Sequence, residues 1–210
     1  MVTRDHKKLW EARSLNSNLD IAVIGNCAIS ALVDSQARIV WACMPRFDGD
    51  PVFCSLLNND RENSLGTYVV SLLGQSTATQ CYRRNSAVLV TTLYDEIGNA
   101  IEITDFVPRF KQFGRVFRPT MIVRHIRPLS GTPRIQVGLH PLYEYGKGEP
   151  KRTRGSNHIR YVMPDLTLRL TTDAPISYVY DETPFVLETP VTLILGPDER
   201  RRNKLSFFFR

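Results

Sequence analysis

Hydrophobic and polar residues alternate with a period of two along much of the chain, which is typical of half-buried β-strands. In the segment AIEITDF (100–106), Ile101 and Ile103 lie on one face and Glu102 and Thr104 on the other. The same alternation, or a short run of β-branched and aromatic residues, recurs in the segments 21–25, 38–44, 67–73, 87–94, 120–126, 134–140, 166–172, 176–180 and 191–195. We expect each of these segments to form a strand.

Short clusters of turn-forming residues separate the predicted strands. Strands joined by turns rather than by helices favour antiparallel sheets packed face to face. Only the segments 9–16 and 51–59 resemble helices, and the Gly- and Pro-containing segment 145–157 resembles a long polar loop. The sequence therefore predicts an all-β fold, a large antiparallel two-sheet β-sandwich (supersandwich-like) with one or two short helices.

Composition and length fit one substantial soluble domain. The chain has 210 residues, of which 42% are hydrophobic and 23% charged. It contains no uninterrupted apolar run of about 18 residues, so we expect no membrane span. The first 20 residues lack the apolar core of a secretory signal, and we expect a cytoplasmic protein. The four cysteines form no C-x-x-C pair and no histidine lies at metal-site spacing, so the sequence predicts neither a metal site nor a cofactor.

The positive net charge belongs to the end of the chain and not to its body. Of the 27 Lys and Arg residues, five lie in the last 11 residues, RRRNKLSFFFR, which contain no acidic residue. The preceding part is almost neutral, whereas nucleic-acid binding requires a basic face. We therefore expect no nucleic-acid partner.

The sequence resembles a known family over about residues 20–199. The segment 21–57 is similar to the start of the prokaryotic glucoamylase- and trehalase-like proteins of glycoside hydrolase family 15, and the segments 82–109, 122–147 and 193–199 resemble later blocks of that family in the same order. In the first segment the matching residues are Ile24, Gly25, Asn26, Ala31, Leu32, Val33, Trp41, Pro45, Arg46, Phe47, Asp48 and Phe53. One departure is Gly49, which stands where the family usually has Ser or Thr.

The resemblance implies a non-catalytic β-sandwich, which in this family precedes an (α/α) barrel that carries two catalytic glutamates. We expect a lead segment at 1–19, the trehalase-like N-terminal β-sandwich at 20–199 and an aberrant basic, Phe-rich tail at 200–210. We expect the catalytic domain of the family to be absent from this sequence. We interpret the tail as a truncated or frame-shifted end, or alternatively as an artificial boundary.

The favoured function is therefore that of an isolated N-terminal domain that docks against the barrel and is catalytically silent. Its parent would hydrolyse α-glucosidic bonds of starch-type oligosaccharides or of trehalose. An apolar docking face left exposed would cause self-association. The alternative is a standalone carbohydrate-binding module for α-glucan or trehalose. Its sugar contacts, or contacts at the rim of the barrel's pocket, would come from Trp41, Arg46, Asp48, Tyr143 and Tyr145.

A standalone hydrolase is the third hypothesis, and the carboxyl residues argue against it. Glycosidases need two carboxyls that face each other across the scissile bond. Asp48 and Asp50 lie two residues apart in one loop, and Glu144 and Glu149 lie beside a polar loop with nothing apolar to raise a pKa. We expect no catalytic residue. We expect Arg46 and Asp48 to form an ion pair that fixes their loop, with the ring of Phe47 as a buried plug.

Overall fold

The computed structural model describes residues 20–57 and 64–198. The predicted lead segment, the predicted helix at 9–16 and the predicted tail lie outside these residues. The strands are β1 (Ile21–Gly25), β2 (Ser30–Asp34), β3 (Ile39–Cys43), β4 (Pro51–Cys54), β5 (Tyr68–Leu72), β6 (Gln75–Tyr82), β7 (Leu89–Asp95), β8 (Ala100–Phe106), β9 (Phe110–Gln112), β10 (Arg115–Phe117), β11 (Ile122–Ser130), β12 (Arg134–Leu139), β13 (Lys151–Arg154), β14 (His158–Val162), β15 (Thr167–Thr172), β16 (Phe185–Val186) and β17 (Val191–Pro197), with a helix α1 (Ile176–Tyr180) and a 3₁₀ turn at Ser55–Leu57. No helix among the described residues is long and apolar enough to cross a membrane.

Two large antiparallel sheets form the molecule. The seven-stranded sheet has the order β1-β2-β3-β5-β12-β16, and β4 pairs with β3. The eight-stranded sheet has the order β13-β14-β15-β17-β11-β8-β7-β6. Strands β9 and β10 pair only with each other in a small separate hairpin. The predicted all-β, two-sheet architecture is confirmed.

The core lies between the two sheets, where alternate side chains of the central strands point inward. Val33 and Val137 from the seven-stranded sheet and Ile103 and Leu193 from the eight-stranded sheet are completely buried in one hydrophobic cluster. Successive residues of a strand lie on opposite faces, and burial of one face therefore explains why hydrophobic residues recur at every second position in the sequence.

One ion pair is buried inside this core. The Arg124 guanidinium on β11 donates to both carboxylate oxygens of Asp105 on β8 at 2.8 and 2.9 Å. It also donates to the carbonyl oxygens of Tyr68, at 2.9 Å, and Ala37, which belong to the seven-stranded side. Desolvation opposes the charged guanidinium, but the Asp105 carboxylate raises the pKa of Arg124 above its ordinary value. Arg124 therefore ties the two sheets together at one fixed position.

A tyrosine closes one edge of the seven-stranded sheet. The Tyr82 hydroxyl on β6 accepts from the Val23 amide at 2.7 Å and donates to the Val23 carbonyl at 2.8 Å. Val23 lies on the edge strand β1. The side chain thus satisfies both backbone polar groups that a neighbouring strand would otherwise bind.

The segment 176–180 was predicted to be a strand, and this prediction is wrong because the segment forms helix α1. Ile176 and Tyr180 pack against the core, and Val179 is buried. Their spacing of three and four residues is helical. The β-branched and aromatic composition favoured a strand, but packing on one helical face decided the structure.

Two further predictions need correction. The segment 51–59 was predicted to be helical, but its first four residues form β4, which is buried and pairs with β3, and the 3₁₀ turn follows. Residues 58 and 59 lie outside the described ranges. The segment predicted as a polar loop at 145–157 contains β13, whose side chains are all exposed. Charged residues are typical of such an edge strand, and they made it resemble a loop.

Candidate functional site

Two loops that are distant in the sequence meet at the seven-stranded sheet, and together they carry four of the five predicted contact residues. The Asp50 carboxylate, next to the loop at 45–49, accepts hydrogen bonds from the backbone amides of Glu144 and Tyr145, the latter at 3.0 Å. The amide of Leu142 donates to the Val52 carbonyl at 2.9 Å. The structure therefore places the turn at 143–148 beside β4.

The turn at 143–148 has an unusual backbone. Glu144, Tyr145 and Gly146 are all left-handed, with φ of 51°, 55° and 94°. A non-glycine residue pays roughly 1–2 kcal/mol for this conformation. The two amide hydrogen bonds to Asp50 help to offset this cost and hold Tyr145 in place.

Arg46 and Asp48 form the expected ion pair in the neighbouring loop. The guanidinium donates to the two carboxylate oxygens at 2.9 and 2.7 Å, and both side chains are exposed. The hydrogen bond from Arg46 lowers the pKa of the Asp48 carboxyl below its ordinary value. Asp48 is therefore a poor proton donor. The expectation that Phe47 is a buried plug is wrong, because the backbone turns back between Arg46 and Gly49 and leaves its ring exposed.

Trp41 lies on the outer face of the seven-stranded sheet and is half-buried. It pairs across the strands with Leu32 on one side and Cys54 on the other. Burial raises the pKa of the neighbouring Cys43 thiol, while a hydrogen bond with Trp41 opposes this rise. The indole is thus part of a packed layer on the sheet surface and is not a fully exposed platform.

The other two predicted contact residues differ in exposure. Tyr143 is half-buried and packs against the core. Tyr145 is 63% exposed beside it on the same turn. Arg46, Asp48 and Tyr145 are therefore the predicted residues that a ligand in solution could reach most easily.

The carboxyl groups of this region do not form a general acid and its partner. Asp48 is bound to Arg46, and the Asp50 carboxylate accepts two backbone amides. Burial raises the pKa of the Asp105 carboxyl, with Arg124 opposing the rise, but Asp105 is sealed in the core. A catalytic acid needs a raised pKa together with access to the substrate. Within residues 20–57 and 64–198 we find no carboxyl that combines the two.

The histidines of the described residues contact neighbouring side chains, and none of them belongs to a metal cluster. His125 lies 3.0 Å from the Thr192 hydroxyl, and His140 lies 3.2 Å from a Glu182 carboxylate oxygen. Burial, together with nearby Arg169, lowers the pKa of His158. In the part of the chain that the structure describes, no three His, Cys, Asp or Glu side chains are grouped so that they could hold a metal ion.

An open groove of about 580 Å³ lies elsewhere, beside α1 and β16. Tyr178 and Phe185 stack in its wall with 5.7 Å between ring centroids, and Arg134 and Glu188 also line it. The sequence analysis did not identify this groove. None of the predicted contact residues lines it.

Asn26 is a positioning residue that the sequence analysis missed. Its side-chain amide donates to the Pro108 carbonyl at 2.8 Å and to the Pro119 carbonyl at 3.0 Å. Its side-chain oxygen accepts from the amides of Ala28 and Ile29 at 2.9 and 3.3 Å. The residue is buried, so these four bonds fix the β1–β2 turn against both ends of the segment that carries β9 and β10. The available signal was the Asn of the Ile-Gly-Asn signature, together with two prolines that flank a short hairpin.

Comparison with known proteins adds evidence of descent. A family model described as "Trehalase-like, N-terminal" matches residues 6–172. A trehalase of Thermoplasma volcanium is 28% identical over 130 residues, which are 60% of this chain and 20% of that protein. A trehalase of Thermoplasma acidophilum is 25% identical over 119 residues, which are 57% of this chain and 20% of that protein. The chain thus spans about a fifth of the length of the curated relatives it matches, and no solved structure matches it.

Proposed function

The chain belongs to the family of trehalase-like N-terminal domains, and from this premise we propose that it is the non-catalytic β-sandwich of a glucoamylase- or trehalase-like glycoside hydrolase of family 15. In that role it docks against a catalytic (α/α) barrel and stabilises it. The activity of the parent is the hydrolysis of α-glucosidic bonds in carbohydrate metabolism.

The state of the carboxyl groups is the observation that carries the proposal. Asp48 is held by Arg46, Asp50 is occupied by two backbone amides, and Asp105 is buried against Arg124. Cleavage of a glycosidic bond needs two carboxyls about 5–10 Å apart on opposite sides of the bond. In the candidate site the carboxylates of Asp48 and Asp50 instead hold the two loops in shape.

Catalytic silence is directly testable. We expect the purified chain to release no glucose from trehalose, maltose or maltodextrin above the buffer rate. The assay is coupled glucose detection over several hours with a known trehalase as positive control. Glucose release that disappears in Asp48→Asn, Asp50→Asn or Glu144→Gln would contradict the proposal.

Carbohydrate binding is the second candidate function, and the fixed, exposed ring of Tyr145 favours it. An aromatic ring held at a set position can stack on a sugar at low entropic cost. Calorimetric titration with trehalose and maltooligosaccharides tests it, with Tyr145→Ala as the variant and Tyr94→Ala, an exposed tyrosine on β7, as the matched control. Binding lost only in Tyr145→Ala supports the module, whereas silence of the native chain up to about 10 mM sugar excludes it.

A further inference from the structure

The β9–β10 hairpin, residues 109–118, stands apart from both large sheets. It pairs only within itself, in the register that sets Phe110 opposite Phe117. The two rings stack with 5.5 Å between centroids and an interplanar angle of 14°. They remain 40% and 38% exposed, whereas Val116, which pairs with Lys111, lies on the opposite face of the hairpin. The hairpin thus carries an apolar face that the described part of the molecule does not cover.

The tip of the hairpin is formed by Phe113 and Gly114, both left-handed, with φ of 50° and 70°. A two-residue turn of this kind normally takes Asn-Gly, because Asn tolerates the conformation and an aromatic residue does not. Phe113 is nevertheless 84% exposed and gains little packing within the described fold. Because no contact within the described fold compensates for the strained backbone of Phe113, we infer that this residue contacts a surface outside the domain.

The hairpin is also purely cationic. Arg109, Lys111, Arg115 and Arg118 surround the aromatic residues, and the sequence has no Asp or Glu from residue 106 to residue 143. Among the described residues, no carboxylate lies within ion-pair distance of these four side chains. Arg109 contacts the Cys27 sulfur at 3.6 Å instead. A partner for this surface must therefore supply negative charge around an apolar recess.

The base of the hairpin is rigidly held. Asn26 binds the carbonyls of Pro108 and Pro119, one at each end of the segment, and is itself buried. A fixed orientation suits a stereospecific protein surface, whereas a lipid surface does not require one. Four like charges oppose the packing of two such hairpins against each other, which argues against a second copy of this chain.

We propose that the hairpin is the docking surface for the domain that follows this β-sandwich in the longer trehalases. Phe113 enters an apolar recess of that domain, and the surrounding cations face its carboxylates. The inference rests on the docking function proposed above and assigns that function to one surface. It fits the length of the relatives, since the matched part is only 20% of either trehalase and the rest is available as a partner.

The test joins the whole chain to the part of the Thermoplasma volcanium trehalase that lies beyond the matched region, in a preparation that hydrolyses trehalose. Tethering raises the effective concentration to about millimolar, so that even a weak contact forms. Amide hydrogen exchange is compared between the fusion and the chain alone. Phe113→Ser and the charge reversal Lys111→Glu/Arg115→Glu are the test variants. Ile97→Ser is the matched control, because Ile97 is an 86% exposed apolar residue at the tip of the acidic β7–β8 hairpin.

We expect the amides of residues 109–118 to exchange at least about tenfold more slowly in the fusion. Both test variants should abolish this protection, and Ile97→Ser should preserve it. Protection elsewhere on the β-sandwich, with unchanged exchange at 109–118, overturns the hairpin assignment but leaves the docking function standing. If no amide of the β-sandwich is protected, both proposals fail.

Two other partners for the hairpin, a second copy of the chain and an anionic lipid surface, are tested with the chain alone at about 150 mM salt, the physiological ionic strength. Sedimentation velocity should show no discrete dimer that Phe113→Ser removes. Co-sedimentation with vesicles of phosphatidylglycerol and phosphatidylcholine should show no binding that depends on Phe113. A positive result in the first measurement would assign the hairpin to a second copy, and one in the second would assign it to anionic lipid. Either overturns the proposal.

Discussion

Two arginines on one strand have different roles in this fold because their side chains lie on opposite faces of the sheet. Arg124 and Arg127 are both on β11, and their cross-strand partners Asp105 and Glu102 are both on β8. Each arginine makes two hydrogen bonds of 2.8 and 2.9 Å to its carboxylate. The spacing of three residues places one pair in the core and the other in solvent. Alternation in the sequence predicts the outward pair, but it predicts an apolar residue at position 124.

Substitution of the two arginines should lower the free energy of unfolding by different amounts, because one pair is buried and the other is exposed. Arg124→Met leaves the Asp105 carboxylate buried without a partner and should lower the free energy of unfolding by about 3–5 kcal/mol. Arg127→Met removes an exposed pair in high dielectric and should leave stability within the error of the measurement. Urea unfolding followed by fluorescence measures both variants. Equal losses would contradict the assignment.

Removal of the Asn26 side chain should both destabilise the fold and release the hairpin. Asn26→Ala leaves two proline carbonyls and two backbone amides without their partner, at a cost of about 2–4 kcal/mol. Exchange of the amides at 109–118 should become faster than in the native chain. Asn157→Ala, at an exposed asparagine, is the control and should change neither quantity. A lower free energy of unfolding in Asn26→Ala, with unchanged amide exchange at 109–118, would refute the positioning role.

At the scale of elements, the sequence predicts strands more reliably than short pieces of other structure. Long alternating segments such as 100–106 and 166–172 became β8 and β15, because one face of each is buried. Helix α1 and the edge strand β13 were missed, since each has four or five residues and its local composition favours another state. The meeting of the two site loops was also missed, because it depends on Asp50 bonding to amides about 95 residues away.

The turn at 143–148 should depend on Asp50 and not on Asp48. Asp50→Ala removes the acceptor of two amides in a left-handed backbone, and we expect a loss of about 1–2 kcal/mol with faster exchange of the amides of Glu144 and Tyr145. Asp48→Ala breaks an exposed ion pair and should leave that exchange unchanged. Hydrogen exchange by NMR distinguishes the two. An identical response of the turn to both substitutions would contradict the described contacts.

For the whole molecule, the sequence was sufficient for the fold class and the family, because the period of two and the collinear motifs extend over most of the chain. It was not sufficient for the surface that contacts a partner. The predicted contact residues were chosen for their aromatic or charged type, whereas the hairpin stands out by exposure, backbone strain and unpaired charge. These properties exist only after folding. The domain boundaries at 1–19 and 200–210 remain predictions.

Self-association of the isolated chain should depend on salt. The exposed apolar face of the hairpin favours contact between molecules, and its four cations oppose that contact. Salt shortens the range of charge repulsion to about 3 Å at 1 M. We therefore expect no discrete dimer at about 150 mM salt, and weak, reversible association that appears only as the salt concentration approaches 1 M. Light scattering measures this, with Phe113→Ser as the less associating variant. Association that decreases with added salt would contradict the prediction.

The hydroxyl of Tyr82 has a consequence for the solubility of the unpartnered protein. Because it occupies both backbone groups of Val23, the outermost strand offers no continuous ladder on which a foreign strand could assemble. The protein exposes an apolar hairpin, but its sheet edge at β1 is thus blocked at Val23 against pairing with a strand of another molecule. Tyr82→Phe would keep the ring but reopen that border as a template.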